Sequence, residues 1–240
     1  MVLNQAPPAV QGMSTAPIDI STFLKPALGP SDILSRALLR HTSKNNDTLY
    51  ASTIVELQNI LDFILLAEHA SFADMYALYT HASERRTADT TDISLPKDTT
   101  KTTRAINQAA NIAINIFWTV FYNYLYPDPE PESGLFSPTS PQTSSSVEEA
   151  NSDTKQSREQ PLIESLHIVL QKIDILSWQH LAPEIYVWVS LTAAAACRTS
   201  EERIPFITAL TPLLSAEDSA ELELSGMGWV YFQWVGGFVC

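Results

Sequence analysis

Two stretches whose apolar residues recur at helical spacing flank a tract that cannot build a core, and any fold of this chain has to accommodate that interruption. The tract, residues 127–160, reads PDPEPESGLFSPTSPQTSSSVEEANSDTKQSREQ. Its prolines, serines and acids bury too little apolar surface to offset the entropy of ordering them, which predicts a disordered acidic linker. Within it, Ser137-Pro138 and Ser140-Pro141 are candidate acceptors for a proline-directed kinase, and Leu135-Phe136 beside PDPEPE has the look of an acidic activation segment. Patterns of this kind are frequent in disordered tracts, so a passive linker is the default.

Upstream, residues 1–30 are rich in Pro, Ala, Ser and Thr and read as a mobile arm, with an apolar patch at Ile18, Ile20, Phe23 and Leu24. Residues 31–126 form the first helical part. Ser31 is placed to cap a short helix ending near Thr42. Thr53 with Glu56 matches a capping box ahead of Leu57, Ile60, Leu61, Ile64 and Leu65, the signature of a buried helical stripe. Helical character continues past a bend near Ser71 to Tyr79. Residues 83–103 are expected to be an exposed loop, being rich in Thr and Asp. A helix then runs to Tyr126, carrying Asn107, Asn111, Asn115 and Asn123 at multiples of four. Those amides bond across to another helix or subunit, or they face water, and solvation is the simpler expectation.

The second helical part, residues 161–240, opens on Pro161, tolerated at a first helical position, with Leu162, Ile163, Leu166, Val169, Leu170 and Ile173 behind it. Pro183 leads a second helix through Trp188 to an alanine run, a third spans about residues 204–214, and a last one is expected at 229–235. No strand alternation or hairpin signal recurs. The fold class is all-α, an irregular multi-helix domain, and the broad apolar faces on both sides of the linker are expected to pack together.

Charge and motifs narrow the function. A net charge of −13, from 27 acidic against 14 basic residues, disfavours direct nucleic-acid binding, which needs Lys and Arg to displace phosphate counterions. The basic residues Arg85, Arg86, Lys97, Lys101 and Arg104 are interleaved with Glu84, Asp89, Asp92 and Asp98. A membrane span is not expected, because the Asn stripe interrupts 105–126 and the run 185–197 is too short. Cys197 and Cys240 with five scattered histidines, His41, His69, His81, His167 and His180, give no zinc spacing, so no metal ligand and no cofactor is assigned. The start MVLNQAPPAVQG lacks a basic region and apolar run, which points to two reduced thiols in a cytosolic or nuclear protein.

No phosphate-cradling loop, nucleophile elbow or dinucleotide fingerprint is present, and no catalytic residue is assigned. His69 with Glu68 and Asp74, and Asp174 with His167 and His180, are near one another in sequence, which is common by chance. The aromatic set Trp118, Phe121, Tyr122, Trp178, Trp188, Trp229, Phe232 and Trp234 either packs the core or borders a pocket between helices.

The leucine-rich helix after Pro161, Trp178, Pro183 ahead of Trp188, the alanines to Ala196, Arg203 and Trp234, with Arg104-Ala105 opening the helix to Tyr126, form a layout that resembles the C-terminal regulatory region of fungal-specific transcription factors. The resemblance covers residues 103 onward apart from the linker, with a weaker echo in 52–82. It implies an all-α regulatory region in the nucleus that acts through protein partners, whether a DNA-binding transcription factor or a second copy of itself, and that responds to small effectors. Members of that family carry a zinc binuclear cluster for DNA binding, and the two distant cysteines here supply none. The leading expectation is therefore a transcription-associated regulator, not an enzyme, of the kind that controls a fungal biosynthetic pathway. The alternative is a helical scaffold without a transcriptional role.

Trp188, with Ile185, Val187 and Leu191 as its neighbours in an apolar helix, is expected in the core. Replacing it by Ala should destabilise the fold by roughly 3–5 kcal/mol in denaturant unfolding. A loss below about 1 kcal/mol would place the side chain at the surface.

Overall fold

The structure, a computed structural model, describes residues 28–43, 48–88, 100–127, 159–214 and 219–239. Among these are nine helices and no strand: α1 (Asp32–Ser43), α2 (Ala51–Ala67), α3 (Phe72–Ala88), α4 (Lys101–Leu125), α5 (Gln160–Leu170), α6 (Ile175–Leu181), α7 (Pro183–Ala196), α8 (Ser200–Leu214) and α9 (Ser219–Gly236). The all-α class follows directly. Residues 1–27 of the expected arm and residues 128–158 of the expected linker lie outside the described residues, as do Ser137, Ser140 and Cys240.

The helix α7 sits at the centre. Every residue from Glu184 to Ala196 is buried, so this helix is covered all round rather than along one stripe. Its cover comes from α1, α4, α5, α6, α8 and α9, which all pack against it. Helices from both sides of residues 128–158 thus meet on one element. Small side chains make this possible, since the run Ala193–Ala196 lets neighbouring backbones approach closely, and Gly228 of α9 does the same from the other side. A Cβ built on Gly228 would stand 2.8 Å from Leu191 Cδ1 and 2.9 Å from Val187 Cγ1.

Two side chains complete α7 at its ends. The Arg203 guanidinium, on α8, donates to the carbonyls of Ala194 (2.9 Å) and Cys197 (3.0 Å), groups left without partners at the helix C-terminus. At the other end buried Glu184 receives Arg40 at 3.2 Å and Arg36 at 3.6 Å, both from α1. Arg36 also reaches Glu223 of α9 at 3.3 Å, so one charge network joins three helices.

Helix starts reveal which local signals were real. Ser71 and Asp74 form a reciprocal box at the start of α3: the Ser71 N–H and hydroxyl donate to the Asp74 carboxylate (3.2 and 2.6 Å), and the Asp74 N–H donates back to Ser71 Oγ (3.3 Å). Thr199 and Glu202 do the same for α8, which begins at Ser200 rather than near 204. Thr53 and Glu56 do not. The helix α2 starts at Ala51, and Thr53 is fully buried inside its first turn.

What fixes the start of α2 is the Asn stripe. Asn107, 1 % exposed, accepts the Tyr50 N–H at 2.7 Å and donates to the carbonyls of Thr48 (2.7 Å) and Thr103 (2.8 Å). Asn111 lies 3.5 Å from the Thr53 hydroxyl, Asn115 accepts from Arg86 at 3.0 Å, and Asn123 donates to Glu159. The expectation that these amides face water is therefore corrected for buried Asn107 and half-buried Asn123, while Asn111 and Asn115 are exposed to solvent as expected. Each also reaches a group outside α4, and at Asn107 burial makes those partners obligatory.

Three boundaries also differ. The expected loop at 83–103 is helical at both ends, α3 continuing to Ala88 and α4 starting at Lys101, with residues 89–99 outside the described set. The extension of α3 is held by Arg86, which pairs with Glu56 at 3.3 Å and lies over the Trp118 ring at 5.5 Å. The last helix begins ten residues before 229, at Ser219, because Leu224, Met227, Tyr231 and Val235 form a buried stripe across its glycines. Glu159, expected in the linker, is buried and starts α5, its carbonyl accepting the N–H groups of Leu162 and Ile163 (both 2.9 Å).

The two glycines of α9 should respond oppositely to alanine. Gly228→Ala gains roughly 1 kcal/mol of helix propensity but forces a methyl into stiff, buried Val187, an overpacking cost of about 1–3 kcal/mol, so a net loss of stability is expected. Gly226→Ala meets only the end of the exposed Leu28 side chain at 3.0 Å, which can give way into solvent, and should be neutral or stabilising. Thermal unfolding of both variants checks the pair.

Candidate functional site

Neither proximity group survives folding as a catalytic unit. Asp74 is engaged by Ser71, whose bonds hold its carboxyl below the usual carboxylate range, and His69 is exposed on the connection before α3. Asp174 caps α6, accepting the Ser177 N–H at 2.8 Å and the Ser177 hydroxyl at 2.6 Å, and those bonds likewise hold its carboxyl low. His167 meets Gln171 at 2.9 Å and packs on the Phe206 ring, while the His180 carbonyl receives Arg40. Asp174, His167 and His180 are thus each used separately. An acid held ionised by helix-cap bonds has no poise for proton transfer near neutral pH.

The aromatic set divides rather than converging on a cavity. Trp118, Phe121 and Trp234 join Phe63, Phe117 and Phe238 in one cluster of edge-to-face and tilted contacts. Trp178 packs on Tyr186 (5.0 Å between centroids) and Trp188 near Tyr231 (6.4 Å), with both indoles fully buried. Tyr122 stacks on Tyr126, and Trp229 stacks on Phe232 at the surface. Core packing accounts for most of these rings.

Cys197 is buried at the end of α7. Burial, with a smaller push from Glu202 and an opposing pull from Arg203, drives its thiol up to about 12. At neutral pH it is a packed, protonated side chain and not a nucleophile. Among the described residues no group of His, Cys, Asp and Glu could hold a metal ion, and no helix is long and apolar enough to cross a membrane.

Open surface of a different kind lies between α2 and α3. The two helices pack against each other, and α2 carries Leu65 and Leu66, 49 % and 59 % exposed. With Phe63, Leu78 and Ala82 they line a groove of about 330 Å³ rimmed by the polar Asp62 and Arg85. An apolar floor with a polar rim is the anatomy of a recognition surface. The sequence stripe hid it: Leu65 belongs to the periodicity of the buried face, and Leu66 lies beside it, so only the placement of α3 shows that both remain uncovered.

Comparison with protein-family models, with curated proteins and with solved structures finds no match to this chain.

The Cys197 thiol gives a direct check of the packing at the end of α7. In a Cys240→Ser variant, labelling by a disulfide reagent at pH 8 should be silent in the native state and complete on unfolding. Rapid native-state labelling would show that the site opens or that the thiol ionises.

Proposed function

We propose that the chain is a transcription-associated regulatory protein of the nucleus that acts through protein partners, docking an amphipathic helix of a DNA-binding transcription factor in the α2–α3 groove. The observation that carries this reading is that groove. Its leucines stay exposed while every comparable apolar face of α4 and α7 is covered, and a groove between two helices accepts a partner helix through anchors at i, i+3, i+4 and i+7. The charge of −13 supports an indirect route to DNA, since an acidic chain gains nothing from counterion release at phosphate. The layout of Arg104, Pro183, Trp188, Arg203 and Trp234, similar to that of fungal-specific transcription factors, supports the transcriptional setting. Arg203 earns its place there structurally, through the α7 carbonyls.

Fused to a heterologous DNA-binding domain, the chain should change reporter output, and a Leu65→Asp/Leu66→Asp double variant should abolish that change. Both positions are exposed, so each substitution should alter stability by no more than about 0.5 kcal/mol. The isolated chain should show no specific DNA binding at physiological salt. Tight binding to DNA by the isolated chain would overturn the partner route. A silent reporter would leave a scaffold role without transcription, and a reporter response untouched by the double variant would remove the groove from the reading.

A further inference from the structure

A second cavity, of about 350 Å³, opens where α4, the start of α5, the end of α7 and the turn after α9 come together. Its apolar wall includes Tyr124, Phe238 and Val239, and its polar members are Asn123, Glu159 and Arg198. Glu159 is the unusual one. It is 7 % exposed, one carboxylate oxygen accepts from Asn123 Nδ2, and the other is buried with no hydrogen-bond partner. A carboxylate oxygen removed from water without a donor is costly, and a charged donor compensates better than a neutral one.

Among the described residues no group provides that donor. Arg198 lines the same cavity, yet its guanidinium makes no ion pair among the described residues, with Glu159 or with any other carboxylate. Its backbone N–H bonds Glu202, which fixes the residue at the start of the α8 cap and leaves the side chain at the cavity edge. Two opposite charges therefore line one cavity without neutralising each other, and an apolar wall stands beside them. A simple cation entering to meet Glu159 meets Arg198 as a like charge. A simple anion has the reverse difficulty. Only a molecule bearing both charges satisfies both groups.

We propose that this cavity binds a small zwitterion with an apolar side chain, an α-amino acid of the leucine or phenylalanine type. Its ammonium donates to Glu159 and to the free amide oxygen of Asn123, its carboxylate meets the Arg198 guanidinium in the forked geometry that arginine favours, and its side chain lies against Tyr124, Phe238 and Val239. The volume falls in the range of small-molecule sites, and the pattern of an apolar wall with a few convergent polar groups is theirs as well. The site is independent of the α2–α3 groove. Because its walls come from α4, α5, α7 and the turn after α9, occupation would tie together the two parts of the chain that flank residues 128–158.

The test is calorimetric titration of the full chain with L-phenylalanine and L-leucine, and with two single-charge analogues of the former, 2-phenylethylamine and 3-phenylpropionate. At least one amino acid should bind saturably, and each analogue should be weaker by about tenfold or more. Arg198→Met should weaken the amino acid about tenfold while leaving the amine unchanged or tighter, a reversal of preference that general unfolding would not produce. Glu159→Gln keeps an oxygen for Asn123 but removes the charge, and should abolish binding of both. Since Glu159 also starts α5, the exposed Arg198 variant carries the decision. No saturable binding of either amino acid, 2-phenylethylamine binding as tightly as L-phenylalanine, or an Arg198→Met chain with unchanged preference would each overturn the proposal.

Discussion

A helix with no exposed face dictates the architecture of this protein. The helix α7 is buried from Glu184 to Ala196, and a helix covered all round is stable only if neighbours arrive from every direction. Six helices supply that cover. The demand explains features that look unrelated: the alanine run, the glycine of α9 facing Val187 and Leu191, and the Arg203 guanidinium on the last carbonyls. It also explains Glu184, the one charge in the helix. A buried carboxylate is tolerable only when paired, and breaking such a pair costs about 3–5 kcal/mol, so Arg36 and Arg40 fix how α1 sits on α7.

Polar side chains, rather than apolar ones, determine how the remaining helices are registered. The α4 asparagines reach the connection before α2, the first turn of α2, Arg86 of α3 and Glu159 before α5. Burial along α4 is supplied by residues such as Ile106, Ala110, Phe117 and Phe121, which could slide by a turn at modest cost. The buried amide of Asn107 cannot, because a shift leaves its donor and acceptor and the Tyr50 N–H unsatisfied. The apolar contacts hold α4 in place, and Asn107 selects the place.

The two candidate surfaces differ in what they demand of a ligand. The α2–α3 groove is apolar at its floor and polar at its rim, so it favours a partner that buries area. The cavity at Glu159, of similar volume, is lined by opposed charges, so it favours a molecule that completes a hydrogen-bond set. As proposed, the first takes a protein helix and the second a small molecule. They lie on different elements, the groove on α2 and α3 and the cavity on α4, α5, α7 and the turn after α9.

Much of the fold was legible because helix formation is read locally. Periodic apolar residues, Pro161 and Pro183 at first helical positions, and the breaks near Ser71 and Pro127 all act within a few residues of themselves. The same S/T-x-x-D/E pattern nevertheless occurs at Ser71, Thr199 and Thr53 and forms a box only at the first two. At Thr53 a long-range bond from Asn107 to Tyr50 and the burial of the threonine override it, and no local rule contains that contact. Glu159 is the sharper case. Its neighbours in sequence are linker-like, while its burial, its bond to Asn123 and its cavity shared with Arg198 come from residues 36 and 39 positions away. The sequence by itself determined that this chain is helical, where most helices run, and that its net charge is strongly negative. Tertiary structure alone decided which polar groups are buried, which leucines stay uncovered and which charges share a cavity, because those properties belong to the space between helices and not to any one of them.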